Sequence, residues 1–146
     1  MLRLLVTVAV AVLPVSGTAC TLLAPFDMGQ IGGAELVVVG EVTDYAMVEG
    51  TWNAALVTVQ IDETLKGRAT GEVTFVWNGG MAQGPHEARA KGRVLIGAME
   101  GGRIALSTLV PDERPDLPSI IQPYCGEVWM QPASPAVVKA ARKALE

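Results

Sequence analysis

Two cysteines, Cys20 and Cys125, are the residues of this chain best suited to defined chemistry. Cys20 directly follows the small residues Gly17, Thr18 and Ala19. A cysteine in this position serves as half of a disulfide, as a lipid-attachment site, or as the first residue of a mature chain whose amino terminus does chemistry. Two cysteines in an exported chain favour one Cys20–Cys125 disulfide, because export leads to an oxidising space. Lipidation of Cys20, or two unpaired cysteines, stay open alternatives.

The other reactive side chains match no common catalytic or metal-binding motif. His86 is the only histidine. With Glu87 it offers two ligands, whereas protein-bound zinc normally has three or four. The sequence contains no G-x-S-x-G, H-E-x-x-H or C-x-x-C pattern. Asp112, Glu113 and Asp116 lie among prolines, which is typical of a solvated loop. We therefore predict a protein that is not an enzyme and uses no cofactor or metal.

Three tryptophans, Trp52, Trp77 and Trp129, are candidates for a binding patch. Trp77 alternates with Val73 and Phe75, which predicts a core position. Trp52 lies in a polar loop and is the better candidate for an exposed aromatic contact, as in domains that bind oligosaccharides or single strands of nucleic acid. The net charge of −4, with basic residues scattered along the chain, argues against a nucleic-acid partner.

The first 19 residues have the pattern of a signal peptide. Arg3 precedes an apolar run that is shorter than the ~20 residues needed to span a bilayer, and Pro14 then breaks it. We predict a signal peptide over residues 1–19, cleavage after Ala19, and one domain over residues 20–146, in the periplasm or outside the cell. A retained anchor is the first alternative. A lipoprotein signal is the second, although Gly17 stands where leucine is usual, and membrane association is expected only if Cys20 is lipidated.

Period-two alternation of apolar residues predicts the strands that must position these groups. We place strands at residues 35–42, 56–62, 72–77, 93–98 and 103–109. Gly40 interrupts the first strand and predicts a bulge or a close approach between backbones. Val57 and Val59 mark the inner face of the second strand. Five short strands with a closing disulfide favour a small barrel.

Two helices are expected beside this barrel. Residues 27–34 allow one or two helical turns, because Gly32 and Gly33 limit the length. The helix at about residues 134–145 is better marked, with Ser134 as its cap, Pro135 in its first turn and an apolar stripe that includes Val138. The proline-rich segment at residues 111–123 is expected to form no regular structure.

The order of these motifs resembles that of netrin-like domains, the OB-fold group that includes the tissue inhibitors of metalloproteinases. Residues 34–42 are similar to the "A-D-x-V-x-x-G-x-V" first strand of that family, and residues 57–67 to its strand ending in "V-x-x-x-x-K-G". Residues 71–76 follow as the next strand, and residues 93–97 replace the "Y-L-V" strand without its tyrosine. The resemblance covers roughly residues 20–128.

The resemblance implies a mainly β fold, a small five-stranded OB-fold-like barrel with a C-terminal helix and a short N-terminal helix. Its broad functional implication is a secreted or envelope-associated, non-catalytic binding module. The partner would be an envelope protein or a protease, and the binding ridge would include Cys20, Thr21 and Trp52. The narrower implication is metalloprotease inhibition. The amine and carbonyl of Cys20 would then chelate the target's zinc, which requires a Cys20 amine without an acyl group, and Thr21 would enter the specificity pocket.

Overall fold

Six strands and two helical segments make up the regular structure in the part of the chain that the structure describes. The computed structural model describes residues 20, 22–49, 53–80, 84–100, 116–123 and 125–146. The long strands are β1 (Leu36–Met47), β2 (Ala54–Lys66), β3 (Glu72–Asn78) and β4 (Arg93–Met99). Two short strands follow, β5 (Ser119–Ile120) and β6 (Met130–Pro132). The first four predicted strands are confirmed, with β1 and β2 longer than predicted.

The first five strands close into a barrel. The order is β1-β2-β3-β5-β4, and β4 pairs back to β1. Neighbouring strands are antiparallel except β3 and β5, which run parallel where Val76 meets Ser119. Strand β6 pairs with β4 beside the barrel. The chain therefore has the predicted mainly β fold with a closed five-stranded barrel, and this closure leaves few unpaired sheet edges among the described strands.

The first part of β1, residues 36–40, is buried on both faces, which explains the continuous apolar run there. Leu36 and Val38 point into the barrel and join a core that includes Trp77. Val37 and Val39 point outward into a second core beneath the two helical segments. A strand between two apolar layers shows a continuous hydrophobic run, whereas a strand with one solvated face alternates.

Both predicted helical segments are confirmed. A 3-10 helix (Met28–Gly33) begins after Asp27, whose Oδ1 accepts a hydrogen bond from Gly29 N at 2.9 Å. Helix α1 (Pro135–Leu145) begins after Ser134, whose Oγ accepts from Val137 N at 3.3 Å. These caps satisfy amide groups that the helix itself leaves unpaired. Neither segment, nor any other helix in the described ranges, has the length and hydropathy needed to cross a membrane.

Helix α1 covers the outer face of the barrel. Its buried residues Val138 and Ala141 belong to the second core. At the solvent edge, Arg142 Nη2 donates to Glu63 Oε1 at 2.8 Å and to Oε2 at 2.7 Å. This pair links α1 to β2, but both side chains are partly exposed, so the second core contributes most of the docking energy.

Gly40 lies at the predicted close approach between strands. The register between β1 and β2 shifts between Val39 and Gly40. A Cβ added at Gly40 would lie 2.7 Å from Val59 Cγ1 and would also overlap the carbonyl oxygen of Gln60. Because that oxygen belongs to the backbone of β2, a side chain at position 40 requires the two strands to separate.

The Gly40→Ala variant is therefore expected to lose about 1–3 kcal/mol in free energy of unfolding, the usual cost of overpacking. Gly32→Ala is the matched control, because its added Cβ would lie 3.9 Å from the nearest atom, the carbonyl oxygen of Ala144. The control should change stability by about 0.5 kcal/mol at most. Urea unfolding measures both, and equal losses would contradict the close-approach explanation.

The proline-rich segment contains regular structure that the sequence prediction missed. The prediction of no regular structure at residues 111–123 is wrong at Ser119–Ile120, which form β5. The barrel provides the partners, because Val76 N donates to Pro118 O at 2.9 Å and Ile121 N donates to Gly97 O at 3.0 Å. Strand β6 was not predicted either. The strand predicted at residues 103–109 lies outside the described residues.

Candidate functional site

The disulfide between Cys20 and Cys125 organises the candidate site. It confirms the predicted pairing and joins two residues 105 positions apart, with their Cα atoms separated by 5.5 Å. That separation is typical of a protein disulfide. A disulfide is compatible with an oxidising compartment, as expected for an exported protein.

Residues 22–27, which we call the N-terminal arm, follow the first cysteine and lie along the loop that carries the second. Ala24 forms a parallel bridge with Gly126. Ala24 N donates to Cys125 O at 2.7 Å, and Glu127 N donates to Ala24 O at 2.9 Å. Phe26 N donates to Glu127 Oε2 at 3.2 Å. The arm is thus held by backbone and side-chain contacts as well as by the disulfide.

Leu22 is the most exposed large apolar side chain in the described part of the chain. It is 87% exposed, compared with 43% for Met47, the other side chain of this kind. A single exposed leucine is ordinary on a protein surface. Here, however, the disulfide at Cys20 and the backbone hydrogen bonds of Ala24 hold the backbone on both sides of Leu22, so this segment has little conformational freedom left to lose.

A small cleft, which we call the arm cleft, lies between the N-terminal arm and the loop after β5. Its cavity volume is about 280 Å³. Phe26 and Trp129 line it, and their rings meet edge to face with centroids 6.2 Å apart. Pro25 and Pro123 add apolar lining. Trp129 is only 8% exposed and packs near Gly97, so it forms a fixed floor.

Two carboxylates, Asp27 and Glu127, also line the arm cleft. Asp27 Oδ1 accepts from Gly29 N, and Glu127 Oε2 accepts from Phe26 N. Arg89 Nη2 lies 3.6 Å from Glu127 Oε1, an ion pair whose side chains are about one-third exposed. The arm cleft therefore combines aromatic and proline walls with more anionic than cationic groups.

The predicted binding ridge is only partly within the described residues. Cys20 lies at the start of the N-terminal arm, whereas Thr21 and Trp52 lie outside the described residues. The three tryptophans do not form an exposed patch, because Trp77 is fully buried, as predicted, and Trp129 is nearly so.

The remaining side chains considered as metal ligands do not cluster in the described residues. His86 is exposed, and its Nδ1 accepts from Ala88 N at 3.1 Å. Asp116 is exposed, whereas Asp112 and Glu113 fall outside the described ranges. Within the ranges that the structure covers, no three His, Cys, Asp or Glu side chains are grouped to hold a metal ion.

A larger cavity of about 680 Å³ lies at another part of the barrel surface, beside the β2–β3 turn. Arg68 lines it together with Glu100 and Asp116. These two acidic residues directly flank the undescribed residues 101–115, and we assign no site to this cavity.

Tyr45 is the one described group whose ionisation the fold clearly perturbs. Burial, and then the negative charge of Glu87, raise the pKa of the Tyr45 phenol. Its hydroxyl donates to Met47 Sδ at 3.1 Å. A tyrosine phenol is already protonated at neutral pH, and the raised pKa extends the protonated state to higher pH, so Tyr45 contributes a hydrogen bond rather than a charge.

Compared with known proteins, the chain matches no protein-family model and no curated protein.

Several residues of the arm cleft were missed in the sequence analysis. Phe26 and Glu127 belong to no motif and lie in segments without periodicity, and Asp27 was predicted only as the start of a short helical segment. The usable signal was the predicted disulfide itself, because bridging Cys20 to Cys125 must bring the residues after each cysteine close together.

Proposed function

We propose that this protein is a secreted or envelope-associated binding module of the netrin-like OB type that has no catalytic activity. Its N-terminal arm contacts a partner protein. The proposal includes cleavage of residues 1–19 as a signal peptide, which would place Cys20 at the start of the mature chain. The order of sequence motifs, the five-stranded barrel and the disulfide support this assignment.

The observation that carries the proposal is the exposure of Leu22 on an anchored segment. Burying one leucine side chain is worth about 1.5–3 kcal/mol, which corresponds to about a 10- to 100-fold change in affinity. The disulfide and the Ala24–Gly126 bridge hold the arm before any partner binds. Little ordering entropy is then lost on association, so most of this apolar burial contributes to affinity.

Site-specific photo-crosslinking in the native host tests this function. We expect p-benzoylphenylalanine in place of Leu22 to form a discrete adduct with one protein. The same group in place of Met47, the matched apolar control, should not form that adduct. Purified wild-type domain should suppress the adduct at concentrations about 10- to 100-fold lower than the Leu22→Ser domain does.

Two results would overturn the proposed function: adduct patterns that are the same at positions 22 and 47, or equal competition by the Leu22→Ser domain. The identity of the crosslinked protein then tests the narrower alternative. A zinc metalloprotease that the domain inhibits would support inhibition through the Cys20 terminus, whereas an intact mass that includes acyl chains at Cys20 would support a lipid-anchored module.

A further inference from the structure

The arm cleft has the chemistry to recognise a positively charged side chain. We propose that it binds an arginine side chain of the partner protein whose surface contacts Leu22. This inference rests on the proposed function and adds the chemical character of the partner.

The size of the arm cleft fits one side chain. Its volume of about 280 Å³ lies just below the ~300–1,000 Å³ typical of small-molecule sites. Leu22 is only two residues from Ala24, which lines the cleft, and two residues of extended chain span about 7 Å at most. One short segment of a partner is therefore long enough to contact Leu22 and to insert a side chain into the cleft.

The charges in the arm cleft favour a cation. Asp27 makes no ion pair with any lysine or arginine in the described ranges. Glu127 has one cationic neighbour, Arg89, at 3.6 Å. The lining of the arm cleft thus carries two carboxylates, and one guanidinium lies beside one of them, so the excess negative charge is complementary to one additional cationic group.

The walls of the arm cleft favour arginine over lysine. Phe26 and Trp129 supply aromatic surface, which attracts cations within ~6 Å of a ring centroid. A guanidinium is planar and weakly hydrated, so it stacks on aromatic rings and donates two parallel hydrogen bonds to a carboxylate. A lysine ammonium retains its hydration more strongly and lacks this flat face.

A titration of the disulfide-bonded domain with acetyl-Gly-Arg-Gly-amide tests the inference without the partner. The matched probe is the same peptide with citrulline, which keeps the shape of arginine and removes its charge. In amide and indole NMR spectra, we expect the arginine peptide to shift the signals of Phe26 and the Trp129 indole in a saturable way. The citrulline peptide should bind at least tenfold more weakly.

Two isosteric substitutions test whether the arginine peptide binds in the arm cleft. Asp27→Asn retains an acceptor for Gly29 N, and Glu127→Gln retains one for Phe26 N, so both variants should keep the arm in place. Each should weaken binding of the arginine peptide by up to about fivefold, the usual limit for an exposed ion pair. Asp44→Asn removes an exposed carboxylate on β1 and should leave the affinity unchanged.

The inference is overturned if both peptides bind equally or if neither binds. It is also overturned if all three carboxylate variants weaken binding of the arginine peptide to the same extent. The titration can give a negative result while the crosslinking experiment gives a positive one, and the reverse is also possible. A negative titration with an intact crosslink at position 22 removes only the arginine inference, whereas a positive titration without that crosslink removes the proposed function.

Discussion

Replacing both Cys20 and Cys125 with serine is expected to lower the free energy of unfolding by about 4–5 kcal/mol. The disulfide joins residues 105 positions apart. A cross-link over a loop of this length restricts the unfolded chain strongly, and the chain-entropy relation gives about 4.7 kcal/mol for 100 residues. Because domains of this size are stable by about 5–15 kcal/mol, the loss is a large fraction of the total. Urea unfolding of the oxidised protein and the double variant measures it.

The double serine variant avoids the unpaired thiol that either single variant would leave. Reductant provides the control, since it should destabilise the wild-type domain to the level of the double variant and leave the variant itself unchanged. Equal unfolding midpoints for oxidised wild type and the double variant would contradict a stabilising disulfide. The N-terminal arm would then be held mainly by the Ala24–Gly126 bridge.

Trp77→Ala is expected to destabilise the protein by about 3–5 kcal/mol, the usual loss for a large aromatic residue in a core. Trp77 is fully buried inside the barrel. Its Nε1 also donates to Gln122 Oε1 at 3.3 Å, and Gln122 Nε2 donates to Gly126 O at 2.6 Å. The side chain therefore fills the core and reaches a hydrogen-bonded glutamine beside the disulfide loop.

Thermal or urea unfolding of Trp77→Ala measures the total loss. The exposed helical substitution Lys139→Ala is the control and should stay within about 0.5 kcal/mol of wild type. A loss no greater than that of the control would refute the core role of Trp77.

A double-mutant cycle separates the hydrogen bond from the packing of Trp77. Trp77→Phe leaves the Gln122 oxygen without its indole donor, and an unpaired buried polar group costs about 1–3 kcal/mol. Adding Gln122→Leu removes that orphaned oxygen, so the combined loss should be smaller than the sum of the single losses. Strict additivity would show that the Trp77–Gln122 contact contributes nothing.

The amino-acid sequence by itself determined the parts of this protein that depend on local pattern. Alternation located β2 and β3, a continuous apolar run located β1, and Ser134 followed by Pro135 located the start of α1. The presence of only two cysteines left Cys20 and Cys125 as the one pairing available within the chain. These features depend on the periodicity of apolar side chains, on helix-capping residues and on the number of cysteines. All three can be read from the sequence without knowledge of distant contacts.

Only the tertiary structure decided the short strands and the arm cleft. Ser119–Ile120 is too short to show a period, and it is a strand because β3 and β4 supply hydrogen-bonding partners on its two sides. The arm cleft brings Phe26 to Glu127 across 101 positions of sequence. Neither β5 nor the arm cleft has a local sequence signal, because each depends on contacts between distant residues. Those contacts form only when the barrel closes and the disulfide joins Cys20 to Cys125.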